Sequence, residues 1–143
     1  MVRMRPWQLA LVVVTCAAAA LVAVRATAVQ LAGDGPERTV VVTMHHSRFE
    51  PATIRIEAGR RVRFVLRNTD PIDHEWLIGD AAFHERHRTG TEPAHGDRPD
   101  EVSVPALSSA QTTLTFDEPG DVVFICHFPG HEAYGMVGVL HVT

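Results

Sequence analysis

The chain has 143 residues, with 13 arginines, no lysine and 17 acids, for a formal net charge of −4. That length suits one domain and excludes two. The acidic balance argues against nucleic acid as a partner, since phosphate backbones are held by clustered positive charge. Two cysteines in the whole chain exclude a disulfide framework.

Arg3 and Arg5 precede an uncharged, largely apolar run over residues 6–24, Arg25 closes it, and Ala26, Thr27 and Ala28 follow. A charged start, an apolar stretch and a small-x-small site read as a secretory signal peptide over residues 1–28. The same run is just long enough to serve instead as an uncleaved membrane anchor. Either way the domain is expected on the exported side, periplasmic or extracellular. Removing residues 1–28 takes three arginines and no acid, so the remainder is more acidic than the whole. Residues 29–38 contain Gly33, Gly35 and Pro36 and read as a linker. The domain is expected over residues 39–143.

Residues 39–45 are β-branched and strand-like. Residues 53–57 alternate apolar with polar at period two, as a half-buried strand does. A turn at residues 58–60 leads to a second alternating run over 61–67, with Val62, Phe64 and Leu66 facing inward. Pro71 ends that run, because the residue before a proline is pushed away from helix. His74 leads into the apolar residues 76–78. Periodicity is then lost from residue 79 to about residue 101. Residues 102–104 and 111–116 read as strands, and Glu118, Pro119, Gly120 and Asp121 form a turn. Residues 122–126 are continuously apolar and are expected to be buried on both faces. Residues 136–142 form the last strand. No amphipathic helix of normal length is visible. Seven or eight short strands with Pro/Gly turns argue for an all-β Greek-key sandwich.

Between the last two strands the chain reads Cys126-His-Phe-Pro-Gly-His131-Glu-Ala-Tyr-Gly-Met136, so four residues separate thiol from imidazole and imidazole from thioether. Two His, one Cys and a long axial Met form the blue-copper electron-transfer ligand set. This loop carries three of the four. The second His must come from elsewhere, with His74, His45 and His46 as candidates. Cys16 lies within the leader, which leaves Cys126 as the one thiol of an exported domain. A lone thiol in an oxidising compartment is either reactive or protected by a metal.

The loop resembles the ligand loop of the cupredoxins, the single-domain type 1 blue-copper proteins of the plastocyanin and azurin kind. Its Cys-x4-His-x4-Met spacing is similar to that of rusticyanins and auracyanins. Phe49-Glu50-Pro51, the Ile54/Ile56 alternation and Gly59 before the next strand also resemble the first half of that family. The resemblance covers residues 39–143 and departs at 79–101. It implies a Greek-key sandwich holding one type 1 copper per chain, with His74, Cys126, His131 and Met136 as metal ligands. His74 follows a strand and a turn, as the family's first His ligand does. Glu75 stands where the family often has Asn or Ser, which bears on hydrogen bonding around the sulfur. Pro129 and Gly130 would shape the loop, with Phe128, Trp76 and Tyr134 as an apolar shell.

His127 follows Cys126, so on an extended backbone it points the opposite way and is expected at the surface or behind the ligands. His84, His87 and His95 fall in the irregular segment and read as solvated side chains, with a second, looser metal site as the other possibility. The function implied is an exported electron carrier, monomeric and not an enzyme, cycling copper between Cu(II) and Cu(I). It would pass single electrons between redox partner proteins, with membrane contact only through an anchor. One competing reading is a copper storage or delivery protein, supported by the extra histidines. The other is a subunit domain of an oligomeric copper oxidase or nitrite reductase.

Overall fold

A computed structural model describes residues 36–90 and 98–143. The expected leader over residues 1–28 and His95 lie outside the described residues, as does all but the end of the linker. Within the compact unit Gly35–Thr143, the elements are β1 (Arg38–Met44), β2 (Phe49–Glu50), β3 (Thr53–Ile56), β4 (Arg61–Asn68), β5 (His74–Gly79), α1 (Ala81–Thr89), β6 (Glu101–Val104), β7 (Ser109–Thr115), β8 (Gly120–Ile125) and β9 (Val137–Val142). No helix among the described residues is long and apolar enough to cross a membrane.

The strands form a four-stranded sheet in the order β2-β1-β4-β7 and a five-stranded sheet in the order β3-β9-β8-β5-β6. β1 pairs with β4 in parallel, and β3 with β9 in parallel. The expected sandwich is therefore present, with nine strands among the described residues rather than seven or eight. Its inner faces follow the period-two pattern. Val40, Val42 and Met44 of β1, and Val62, Phe64 and Leu66 of β4, are buried between the sheets, while Arg61, Arg63 and Arg67 stay outside. Aromatic rings join the layers: Phe64 lies 4.8 Å from Trp76, and Phe49 meets Phe124 edge-on at 5.2 Å. Each such side chain, fully buried, contributes about 1.5–3 kcal/mol.

Two expectations are corrected. β8 is not buried along its whole length: Val122 and Val123 are half-buried, and only Phe124 and Ile125 are enclosed. The strand starts in an exposed turn and runs into the core, so burial rises toward Cys126. The second correction is α1, in a stretch expected to be irregular. The Asp80 side chain accepts the Phe83 N–H at 2.7 Å and caps its start, and the Gly90 N–H bonds the carbonyls of Arg86 and His87 at its end. Capping of this kind makes a short helix without any apolar periodicity. Phe83 is the one large apolar residue in α1, which is why the pattern was silent.

β8 and β9 approach so closely at Gly138 that a Cβ there would lie 2.1 Å from Phe124 Cζ and 2.8 Å from the Ala52 carbonyl oxygen. Phe124 is wholly buried, so its ring cannot swing out into solvent. Gly138→Ala is expected to cost about 1–3 kcal/mol through overpacking. A lower denaturant midpoint at unchanged slope would show it. An unchanged midpoint would mean that the ring has room.

Candidate metal centre

The loop between β4 and β5 is built around two buried polar side chains. Asn68 accepts the Asp70 N–H at 2.9 Å, and its amide nitrogen lies 2.8–3.1 Å from the carbonyls of Ile72, Val104 and Pro105. The Asp70 carboxylate accepts the backbone N–H groups of His46 and Ser47, each at 2.8 Å, and faces His74 Nε2 at 2.9 Å. His46 and Ser47 have φ of 51° and 52°. Non-glycine residues rarely take this left-handed conformation. Here two in succession aim their N–H groups at one anion, a concavity suited to a carboxylate. Burial pushes the Asp70 carboxyl up, but the Ser47 and His46 N–H groups and the His74 imidazole outweigh it, so its pKa falls below the usual range. An ionised Asp70 makes His74 Nε2 the protonated nitrogen. The bare Nδ1 of His74 then points into the site, from a side chain with no exposed surface.

The other donors come from the loop between β8 and β9. The Cys126 N–H bonds the Met136 carbonyl at 3.2 Å, and the Met136 N–H bonds the His131 carbonyl at 3.0 Å. These bonds fold the loop back on itself and leave Cys126 and Met136 buried at its two ends. Gly135 permits the return: its φ is 90°, and a Cβ there would meet Arg48 Nη1 at 2.8 Å.

The two loops converge. His131 Nδ1 lies 3.2 Å from His74 Nδ1 and 3.3 Å from Cys126 Sγ. The donor atoms of His74, Cys126 and His131 all lie within 4.8 Å of one another, the one such group of three among the described residues. Burial lowers the His131 pKa, which favours the neutral imidazole a metal needs. Burial pushes the Cys126 thiol up to about 11, against the opposing pull of the Glu75 and Phe128 backbone N–H groups donated to it. Metal uptake must therefore displace the thiol proton. One soft sulfur and two imidazole nitrogens, held this close and with the His74 ring tied from behind by Asp70, fit copper. With Met136 they are arranged as a type 1 copper site.

The structure also says what Glu75 does. Its carboxylate accepts the His127 N–H at 2.7 Å, joining the His74 strand to the Cys126 loop. Of the expected apolar shell, Phe128 sets its ring edge-on to His131 at 5.9 Å and Trp76 is enclosed in the core, but Tyr134 is 72% exposed and excludes no water. His45 and His46 are outside the donor group. His45 Nδ1 contacts Thr69 Oγ1 at 3.0 Å, and His46 serves through its backbone. His84 and His87 are not solvated: their turn of α1 packs them inward, with His84 2% exposed. Asp70 and the His46–Ser47 clamp carried no sequence signal, because their meeting spans 23 and 24 positions.

This sandwich and its Cys/His/His/Met arrangement define a type 1 copper fold, and residues 13–139 match the model of the cupredoxin-like domain. The chain belongs to the cupredoxin family. It is 39% identical over 107 residues to the "copper-resistant cuproprotein CopI" of Rubrivivax gelatinosus, covering 71% of this chain and 64% of that one. It is 33% identical over 137 residues to the protein of the same name from Pseudomonas aeruginosa, covering 73% and 76%. The chain thus spans just under two thirds of the first of these relatives. Among solved structures, reduced auracyanin from Roseiflexus castenholzii superposes with a TM-score of 0.62 at 22% identity, covering 76% of this chain and 99% of that one, a likeness of fold.

Proposed function

We propose that this protein holds one copper ion at His74, Cys126, His131 and Met136 and passes single electrons between larger redox proteins on the exported side of the membrane. The observation that carries this is the convergence of two imidazole nitrogens and one thiol sulfur at 3.2–3.3 Å. When bound, copper supplies the one-electron Cu(II)/Cu(I) couple. The chain's own part is to keep the donors still in both states, since moving ligands slows electron exchange. Asp70 fixes the His74 ring, and the His46 and Ser47 N–H groups fix Asp70. Backbone N–H groups of Glu75 and Phe128 hold the sulfur. His131 is the one half-buried member of the three, so a partner would approach its ring.

A second reading is favoured by a separate observation. Relatives at 39% and 33% identity are named for copper resistance, which supports a role in handling the metal, served by the same centre. One experiment separates the two: loading with Cu(II), counting metal per chain, and recording the visible and electron-spin-resonance spectra through a reductive titration. One copper with intense thiolate charge transfer and reversible one-electron reduction supports the carrier. Uptake without that colour, or without reversible reduction, sinks it in favour of handling alone.

The axial position has its own test. Met136→Leu roughly keeps the volume of a wholly buried side chain and removes the sulfur. The variant is expected to bind one copper, stay coloured and shift its reduction potential upward, because losing an electron-rich donor favours Cu(I). Potentiometry reads the shift. A potential that does not move, or a loss of copper binding, would assign Met136 another role.

A further inference from the structure

The ligand loop belongs to neither sheet. Pairing between β8 and β9 stops at Ile125 and Val137, and Pro129, Gly130, Ala133, Tyr134 and Gly135 of the loop are exposed. The bonds within its tip are short-range, such as the His131 N–H to the Phe128 carbonyl at 3.0 Å and the Gly135 N–H to the Glu132 carbonyl at 2.9 Å. A segment with so few buried contacts opens locally at low cost unless something outside holds it. Outside support comes from Glu75, which accepts the His127 N–H, from a long Arg48 contact to the Gly135 carbonyl, and above all from α1.

α1 grips the loop at two points, each the residue directly after a copper ligand: His127 follows Cys126, and Glu132 follows His131. His84 Nε2 lies 3.1 Å from the Val123 carbonyl oxygen of β8, and its Nδ1 lies 2.9 Å from His127 Nε2. A carbonyl oxygen only accepts, so neutral His84 donates to Val123 and receives the N–H of neutral His127. From the same helix, the His87 ring stacks on that of His127, with planes 11° apart. Four residues after His84, Arg88 forks onto Glu132: its Nε lies 3.1 and 3.0 Å from the two carboxylate oxygens, and its Nη2 2.6 Å from one of them. Residues four apart lie on one face of a helix, so one edge of α1 spans the loop from the neighbour of one ligand to the neighbour of another. α1 is itself fixed to the sandwich. Phe83 is buried and packs so closely on β5 that a Cβ at Gly79 would lie 2.6 Å from its ring.

We propose that α1 braces the ligand loop in its copper-binding shape and so slows the loss of copper, with Arg88 and His84 as positioning residues. A bound ion leaves when a ligand swings off it, and His131 is the half-buried donor of the three. Holding Glu132 restrains the backbone beside that imidazole. The Arg88 and Glu132 side chains are 40% and 32% exposed, so their pairing adds little to overall stability. Its effect is local: two parallel bonds to one carboxylate fix direction as well as distance. The proposal rests on the copper centre at His74, Cys126, His131 and Met136, and it holds whether the bound ion carries electrons or is merely kept.

The test compares the full-length wild type with Arg88→Gln, Glu132→Gln and the double variant by two measurements. Hydrogen exchange of the metal-free chain, read at the His131 and Met136 amides that bond the Phe128 and His131 carbonyls, reports opening of the loop. Transfer of copper from the loaded chain to excess chelator reports release. Each single variant should speed both by about tenfold, the lower end of what losing an outer partner costs in metal affinity. The double variant should match the singles, because the two side chains act through each other. Arg88→Lys should recover part of the loss, since it keeps the charge without the fork. His84→Gln combined with Arg88→Gln should loosen the loop further, and if burial of His84 prevents that variant from folding, the Arg88 and Glu132 variants decide. Amides inside β8 and β9 should exchange as in the wild type. Unchanged loop exchange or unchanged copper release in Arg88→Gln overturns the brace. So does faster exchange throughout β8 and β9, which would make α1 a support of the whole fold. If the wild type takes up no copper, the copper centre fails, and amide exchange alone decides whether α1 holds the loop.

Discussion

Cys126→Ser should abolish the thiolate charge-transfer band and leave the sandwich folded. Cys126 is the one thiol among the described residues, and it has no exposed surface. Serine is close to it in size, and its hydroxyl oxygen can still receive the Glu75 and Phe128 N–H groups that point at the sulfur. What it lacks is an ionisable thiol, the strong covalent donor of the set. Type 1 copper affinity should fall by more than the roughly 10–100-fold that loss of an outer hydrogen bond costs. Stability without metal should change little, because the core lies between the two sheets and Cys126 is only one of its many buried members. The visible spectrum and a thermal melt of the metal-free variant, side by side, check both halves. A retained band would mean that another sulfur serves the metal.

Asp70→Asn should weaken the copper centre without touching a ligand. Both carboxylate oxygens of Asp70 accept: Oδ1 from the His46 N–H, Oδ2 from the Ser47 N–H and from His74 Nε2. An amide keeps one of those oxygens and turns the other into a donor, which faces N–H groups whichever way it is flipped. A buried donor left unmade costs about 1–3 kcal/mol. The His74 ring also loses the charge that holds its tautomer, for which about 10–100-fold in metal affinity is the expected loss. The two effects are read separately, by a melt of the metal-free protein and by a competitive copper titration. Unchanged affinity would show that the core alone orients His74. Left-handed φ at His46 and Ser47 is the cost at which the loop keeps this anion bound.

What the amino-acid order determined by itself is local. Cys126, His131 and Met136 could be read as one donor set because they lie in one short loop, where spacing alone keeps them close. β1, β3 and β4 were legible because a strand with one wet face must alternate, and Val62, Phe64 and Leu66 do so between arginines. Tertiary structure decided everything that joins distant positions. It chose His74 over His45 and His46, bringing it to His131 across 57 positions, and set Asp70 behind it with the His46–Ser47 turn. It turned Glu75 from a departure into a tie between strand and loop. It also moved His84 from an apparently solvated segment to a buried contact with His127, 43 positions away. Pattern and spacing report which face of an element is wet. Which polar groups meet inside is settled by how the sheets and α1 pack, where each buried donor and acceptor must find a partner.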